Sequence, residues 1–131
     1  MDGIGRLNVR VYTSRAQIPI EGATVVVTGK GKNGKLKLLS IQTTDSSGGI
    51  QPIEIATPMA SESTEPEHNG LPPFAVCDVW AEHPGFAMLV VENVQIFPGV
   101  ETLQAMVLSP LAEGGNSLME TDVQETPVQN L

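Results

Sequence analysis

The hydrophobic positions along this chain recur mostly with a spacing of two, which is the period of a half-buried β-strand. Between Arg6 and Tyr12, for example, Leu7, Val9 and Val11 alternate with polar side chains. The segments between such runs are rich in Gly, Pro, Asn and Asp, which are turn-forming residues. The pattern therefore predicts short strands joined by turns.

Seven strands are predicted in this way. They cover residues 6–12, 23–28, 36–44, 50–56, 74–82, 86–93 (extended or bent by 94–97) and 101–109. Pro52 places the fourth at a sheet edge, because proline cannot donate a hydrogen bond to a neighbouring strand. Seven short strands with frequent turns and no helical segment predict an all-β fold, a single seven-stranded antiparallel Greek-key β-sandwich.

The strand pattern also divides the chain. Residues 1–111 contain all the predicted strands and form the expected β-sandwich domain, with a long acidic, proline-rich loop over residues 59–73. Residues 112–131 are acidic and weakly apolar. We expect them to form a C-terminal tail that is either flexible or docked on a partner.

Charge is separated along the sequence. All seven basic residues lie between Arg6 and Lys37, and the formal net charge is −8. This acidic balance disfavours binding to a phosphate backbone, so no nucleic-acid partner is expected. The separation of basic from acidic residues can steer subunits to meet head to tail, although chance also produces such a distribution.

Three further features limit the class of protein. Cys77 is the only cysteine, so an internal disulfide is excluded and a small core residue is the simplest interpretation. The longest apolar run, residues 86–91, is far shorter than the roughly 20 residues that a membrane span needs. Residues 1–15 contain three arginines and no continuous apolar region, so no signal peptide is expected.

Three short segments contain a glycine beside a predicted strand, namely residues 19–27 (PIEGATVVV), 43–48 (TTDSSG) and 79–86 (VWAEHPGF). In this order they resemble segments of the carboxypeptidase regulatory-like domain, a transthyretin-like (prealbumin-like) β-sandwich. The resemblance covers residues 4–111. Residues 92–100 and 108–110 are also similar to versions that precede clostridial peptidoglycan-binding or spore-cortex-lytic modules.

Each segment also has a physical explanation. Gly22 relieves a tight bend before the second strand, and Asp45 can bond to its own turn. Gly85 allows a positive φ before Phe86, which we expect to enter the core.

The resemblance implies a non-catalytic accessory domain that spaces or positions other modules. Enzymes with related sandwiches need residues that this chain lacks. A hydroxyisourate hydrolase would require paired histidines, an arginine and a Tyr-Arg-Gly-Ser tail. An intradiol dioxygenase would require two tyrosines and two histidines for its iron, whereas Tyr12 is the only tyrosine. We therefore expect no enzyme activity, no catalytic residues and no cofactor.

Two aromatic residues are the candidates for a ligand or interface site. Alternation places Trp80 outward with Asp78 and Glu82, and it places Tyr12 outward on the first strand. Exposed aromatic side chains commonly dominate binding surfaces. The alternative is that Trp80 is covered by the acidic loop or the tail.

The two histidines do not indicate a metal site. His68 lies in the acidic loop, which is a poor cage for a metal ion, and His83 precedes Pro84 in a predicted turn. We expect no metal, and an enzyme built on these histidines is the least favoured hypothesis.

Two hypotheses on function remain. The first is a non-catalytic accessory binding or structural module that acts at a bacterial surface or cell wall through protein or glycan contacts, including peptidoglycan. The alternative is a subunit of a self-assembling fibre or virion-type structure that uses its tail and edge strands for subunit contacts. Both predict a protein partner or a homo-oligomer, located at a cell surface, a cell wall or a virion.

Overall fold

The computed structural model describes residues 3–30, 36–57, 74–111 and 121–125, and these ranges contain eight strands and no helix. The strands are β1 (Gly3–Thr13), β2 (Thr24–Lys30), β3 (Leu36–Thr43), β4 (Ile53–Thr57), β5 (Ala75–Glu82), β6 (Met88–Ile96), β7 (Glu101–Leu108) and β8 (Thr121–Glu125). The seven predicted strands are the first seven of these, with ends that differ by three residues at most. The all-β prediction is confirmed.

The strands form two sheets that enclose one hydrophobic core. A three-stranded sheet has the order β4-β1-β7, and a five-stranded sheet has the order β3-β2-β5-β6-β8. The inward face of β1 carries Leu7, Val9 and Val11, all fully buried, as the alternation predicted. They pack with buried residues of the other sheet, among them Val27, Val79, Val91 and Ile96. The β-sandwich is therefore confirmed.

Two strand pairings differ from the predicted antiparallel arrangement, since β1 pairs with β7 and β6 pairs with β8 in parallel. Both β7 and β8 follow a connection that crosses from the other sheet. Only a tight hairpin forces neighbouring strands to be antiparallel, so crossing connections leave the direction free. Pro52 was interpreted correctly, because β4 lies at an edge of its sheet.

The strand β8 was not predicted, because residues 121–125 contain one apolar residue and show no alternation. It forms through backbone pairing with β6. The remainder of the tail at 112–131 and the acidic loop at 59–73 lie outside the described residues.

The three glycine-containing segments have the predicted local geometry. Gly22 has φ +82° and Gly85 has φ +91°. Phe86 is partly buried against the core. The Oδ1 atom of Asp45 accepts hydrogen bonds from the Ser47 amide at 2.9 Å, the Ser47 hydroxyl at 2.7 Å and the Gly49 amide at 3.1 Å. Asp45 thus holds the turn that connects β3 to β4.

These bonds predict how the stability of the protein depends on pH. The Ser47 hydroxyl, followed by the Gly49 and Ser47 amides, lowers the pKa of Asp45 in the folded protein. Because the unfolded chain has the ordinary aspartate pKa of about 3.9, the turn stabilises the fold above that pH and loses this contribution as the pH falls through the folded pKa. Denaturant titrations between about pH 5 and pH 2 should show the loss.

An Asp45→Asn variant is the control for this prediction, since asparagine keeps an accepting oxygen and has no titrating carboxyl group. Its stability should fall less steeply over the same pH range. Equal slopes in the two proteins would show that other carboxylates cause the acid dependence.

Cys77 is a core residue, as predicted, with no exposed surface. Burial, together with the neighbouring Asp78 carboxylate, raises the pKa of its thiol to about 12. The thiol is therefore protonated at neutral pH and is a poor nucleophile.

Candidate interaction surface on the five-stranded sheet

One row of apolar residues crosses the whole five-stranded sheet in register. Val26 on β2 pairs with Ile41 on β3 and with Trp80 on β5. Trp80 pairs in turn with Val90 on β6, which pairs with Val123 on β8. Each strand therefore contributes one apolar residue to the same row.

On β2, β3, β5 and β6 the row lies on the outer face of the sheet. Its neighbours along the strands, such as Val25 and Val79, are buried in the core, so alternation directs the row outward. Ile41 is 60% exposed and Trp80 is 38% exposed, while Val26 and Val90 are half-buried. Together with Leu36 and Leu38 of β3, we call Val26, Ile41, Trp80 and Val90 the apolar face.

The edge strand β3 extends the apolar face toward one end of the sheet. Leu38 is 57% exposed and Leu36 is 62% exposed, and they pair with Thr28 and Lys30 of β2. A bulge between Val27 and Thr28 shifts the register. Consequently Leu39 packs against the core while Leu38 and Ile41 both remain outward.

This part of the surface was missed from the sequence. Apolar residues at 36, 38, 39 and 41 belong to both alternation phases, so the pattern alone does not say which of them face outward. A sequence signal for them does exist. When one strand has apolar residues in both alternation phases, with a lysine between them, it must contain either a bulge or an exposed apolar side.

The predicted candidate Trp80 lies in the centre of the apolar face, and Glu82 is half-buried two residues further along the same strand. Asp78 has a different environment from the one alternation predicted. It is 8% exposed, and its Oδ1 atom accepts a hydrogen bond of 3.0 Å from the backbone amide of Asn93. β6 has one extra residue opposite this position, since Cys77 pairs with Val94 and Val79 pairs with Val91. Asp78 keeps the same side of β5 as Trp80, and the bulge in β6 brings the Asn93 amide against its carboxylate, which is therefore buried.

Tyr12 lies on the other side of the molecule. It belongs to β1 in the three-stranded sheet, where it pairs with Val107 and bridges to Pro19. Since the core separates the two sheets, Tyr12 and Trp80 face opposite directions. The structure therefore does not bring the two predicted aromatic candidates into one site.

A shallow depression lies beside the start of β1. It has a volume of about 540 Å³ and is lined by Ile4, Arg6, Glu54, Gly99, Val100 and Glu101. Arg6 and Glu54 form an ion pair of 3.7 Å in which both side chains are more than half exposed. A solvent-exposed ion pair of this kind contributes about 0–1 kcal/mol to the stability of the fold. The residues that line the depression include no buried charge.

The histidines do not form a site in the described part of the chain. His83 has its Nδ1 atom 2.8 Å from the carbonyl oxygen of Pro84, and its ring lies edge-on to Phe86 at 5.7 Å. His83 is thus a turn residue, as predicted, whereas His68 lies outside the described residues. Among residues that the structure describes, no group of three His, Cys, Asp or Glu side chains could hold a metal ion.

The described ranges include no helix with the length and apolar character needed to cross a membrane.

Comparison with known proteins gives similarity in structure only. No protein-family model and no curated protein match the chain. Two point variants of catechol 1,2-dioxygenase from Acinetobacter radioresistens superpose with TM-scores of 0.57 and 0.56 at 14% identity, over 95% of this chain and 58% of the dioxygenase. The chain thus spans little more than half the length of that enzyme.

Two pilin structures are more distant. The C-terminal domain of a shaft pilin from Lactobacillus rhamnosus GG has a TM-score of 0.44 and 10% identity, over 82% of this chain and 98% of that domain. A minor pilin from Streptococcus agalactiae has a TM-score of 0.47 and 16% identity, over 86% of this chain and 47% of the pilin. The dioxygenase superpositions have TM-scores above 0.5 and, at 14% identity, show a shared fold alone. Membership of the carboxypeptidase regulatory-like family stays a prediction.

Proposed function

We propose that this chain is a non-catalytic structural subunit that binds further copies of itself through the five-stranded sheet. The observation that carries the proposal is the apolar face, in which an in-register row crosses the sheet and continues onto the exposed leucines of β3. This corresponds to the second hypothesis from the sequence, a subunit of a self-assembling fibre or virion-type structure.

The apolar face has the chemistry of a protein interface. Removing apolar surface from water contributes roughly 25 cal/mol for each Å² buried, so a contiguous face of this kind favours association. Contiguous apolar patches on soluble proteins commonly mark interaction sites, whereas single exposed apolar residues do not. Ile41, Leu38 and Leu36 are all more than half exposed and lie on one edge strand, which supports a contact at that edge.

Protein contact is favoured over glycan contact at Trp80. A sugar site needs hydrogen-bonding groups beside the aromatic ring, because polar hydroxyl groups must be satisfied on binding. The neighbours of Trp80 in its row are Val26 and Val90, and the Asp78 carboxylate is buried and bonded to Asn93. If Trp80 bound peptidoglycan at a bacterial surface, Trp80→Ala would lower the retention of the protein on purified peptidoglycan. We expect this retention to be unaffected.

The positions of the reactive side chains support a non-catalytic role. The thiol of Cys77 is buried in the core, and the ring of His83 packs in a turn. The single tyrosine, Tyr12, lies on the other sheet. None of these groups is arranged with another as a nucleophile and base.

Light scattering over a concentration series tests the proposal with a matched pair of variants. Ile41 on the apolar face and Leu103 on β7 of the other sheet are each 60% exposed, and both lie on edge strands. We expect the unmodified protein to associate as its concentration rises. Ile41→Gln should raise the concentration needed for association at least about tenfold, since it removes apolar burial at the interface, whereas Leu103→Gln should have little effect.

Both substitutions are at exposed positions, so the melting temperature should change little and act as a control for folding. A protein that stays monomeric over the whole series would refute the proposal. An equal effect of the two variants would place the contact elsewhere.

A further inference from the structure

The strand β3 is an edge of the five-stranded sheet, since within the described ranges it pairs with β2 alone. An edge strand presents backbone amide and carbonyl groups that can pair with a strand of another chain, and proteins usually block this with charged or proline residues. The outward side of β3 instead carries Leu36, Leu38 and Ile41, all more than half exposed. We infer that β3 of one copy pairs antiparallel with β3 of a second copy. This inference rests on the proposed function and specifies its contact.

The bulge makes β3 symmetrical about its centre. Leu39 is the extra residue, because its neighbours Leu38 and Ser40 pair with consecutive residues of β2. Leu39 and Ser40 together therefore occupy one central position. Residues 36–38 lie on one side of it, and residues 41–43 lie at the same number of positions on the other side.

A two-fold axis that is perpendicular to the sheet and passes between two such bulges sets the register of the contact. It places Leu38 of each copy opposite Ile41 of the other, both on the outward side of the sheet. It places Lys37 opposite Gln42, both on the side that alternation directs inward. Every other register leaves part of β3 unpaired. This register therefore joins the most residues and sets apolar side chains directly opposite each other.

The bulge also indicates which strand fits this edge. A bulge increases the local twist of a strand, and this hinders pairing with a regular strand. A second β3 contains the same bulge at the same central position, so the two strands twist alike. The edge is thus protected against most strands and complementary to itself.

Charge is compatible with this register. Lys37 is the only charged residue of β3. When the bulges are paired, the two Lys37 residues are four positions apart along the strands, which is roughly 13 Å at about 3.3 Å for each position. This exceeds the Debye length of about 10 Å at 0.1 M salt. A pairing centred on Lys37 would set the two ammonium groups directly opposite each other, which is unfavourable.

The symmetry of the contact determines the kind of assembly. The same surface is used on both copies, so the edge contact closes with two copies. The axis leaves both apolar faces on one side of the joined sheets, where Trp80, Val26 and Val90 stay available to further copies. The edge contact thus produces a dimer with a combined apolar surface, and a larger assembly requires a second contact through that surface.

Cysteine cross-linking tests the register, with Leu38→Cys and Ile41→Cys as variants at exposed positions. Opposite residues of antiparallel strands have Cα atoms about 4.5–5.5 Å apart, which suits a disulfide. Two copies of one variant instead place their cysteines diagonally, at about 7–8 Å, outside the usual disulfide range. An equimolar mixture, treated with oxidised glutathione where the unmodified protein associates, should therefore give at least about tenfold more disulfide-linked dimer than either variant alone. Non-reducing electrophoresis measures the linked dimer.

Leu103→Cys is the matched control, because Leu103 is 60% exposed, as Ile41 is, and lies on the edge strand β7 of the other sheet. A mixture of Leu103→Cys with Leu38→Cys should give no more linked dimer than the single variants. The native Cys77 does not compete, because its thiol is buried and protonated.

The outcomes separate the inference from the proposed function. If the unmodified protein stays monomeric, both fail. If it associates and Ile41→Gln weakens the association, but the mixture of Leu38→Cys and Ile41→Cys gives no more linked dimer than the single variants, the edge pairing is refuted and the apolar face remains the contact.

Discussion

Replacing Gly48 with alanine is expected to lower the free energy of unfolding by about 3 kcal/mol. Gly48 has φ +78°, a conformation that costs an L-residue about 1–2 kcal/mol. A Cβ atom at this position would also lie 2.5 Å from the carbonyl oxygen of Val11 and 3.3 Å from the Cβ of Pro19. These atoms belong to the backbone and to a ring, so they cannot rotate away. The amide of Val11 donates to the carbonyl of Gly48 at 2.8 Å, which keeps the two segments together.

Two other glycines serve as matched controls for Gly48→Ala. Gly85 has φ +91° but open space around a Cβ position, so Gly85→Ala should show the conformational cost alone, about 1–2 kcal/mol. Gly49 is the next residue in the same turn, where a Cβ atom would meet only ordinary contacts of 3.7 Å or more. Gly49→Ala should therefore be nearly neutral. Denaturant unfolding of the three variants measures the order, and equal losses at Gly48 and Gly85 would contradict the argument from the Val11 contact.

The second large effect is expected at Thr44, where Thr44→Val should lower the free energy of unfolding by about 2–4 kcal/mol. Thr44 is 4% exposed, and its hydroxyl group makes two buried hydrogen bonds. It accepts from the Ala23 amide at 2.9 Å and donates to the Ile20 carbonyl at 2.6 Å. Valine has the same shape but leaves both backbone groups buried and unsatisfied, which costs about 1–3 kcal/mol for each.

Thr57→Val is the matched control, because the same substitution should change the free energy of unfolding in the opposite direction there. Thr57 is 2% exposed, and its hydroxyl oxygen is buried without a hydrogen-bond partner among the residues that the structure describes. Removing an unsatisfied hydroxyl group should raise the free energy of unfolding by about 1 kcal/mol. Thermal or denaturant unfolding distinguishes the two cases. A loss at Thr57 as large as the loss at Thr44 would show that shape, and not hydrogen bonding, determines both results.

Much of the fold could be predicted from local pattern. Alternation identified the inward residues of β1, and the glycine-containing segments identified the bends at Gly22 and Gly85. These features depend on the side-chain period of a strand and on the conformational freedom of glycine, both of which are local. The turn at Asp45 belongs to the same class, since its bonds reach residues at most four positions away.

The candidate surface was predictable only in part. Trp80 was correctly placed outward, because alternation holds on both sides of it. Asp78 lies on the same side of β5 but is buried, because a bulge in β6 places the Asn93 amide against its carboxylate. The exposed residues of β3 were missed for the same reason, since the bulge opposite Thr28 assigns Leu39 to the core and leaves Leu38 outside. A bulge depends on the partner strand, so a single strand's sequence does not reveal it.

The amino-acid order thus contains the strands, their buried sides and their turns, because each depends on residues only a few positions apart. The pairing of strands is different in kind. That Ile41, Val26, Trp80 and Val90 form one row depends on the register of four strands that are distant along the chain. The separation of Tyr12 from Trp80 likewise depends on which sheet each strand joins. These relations follow from packing two sheets around one core, so the surface available to a partner was decided by the tertiary structure.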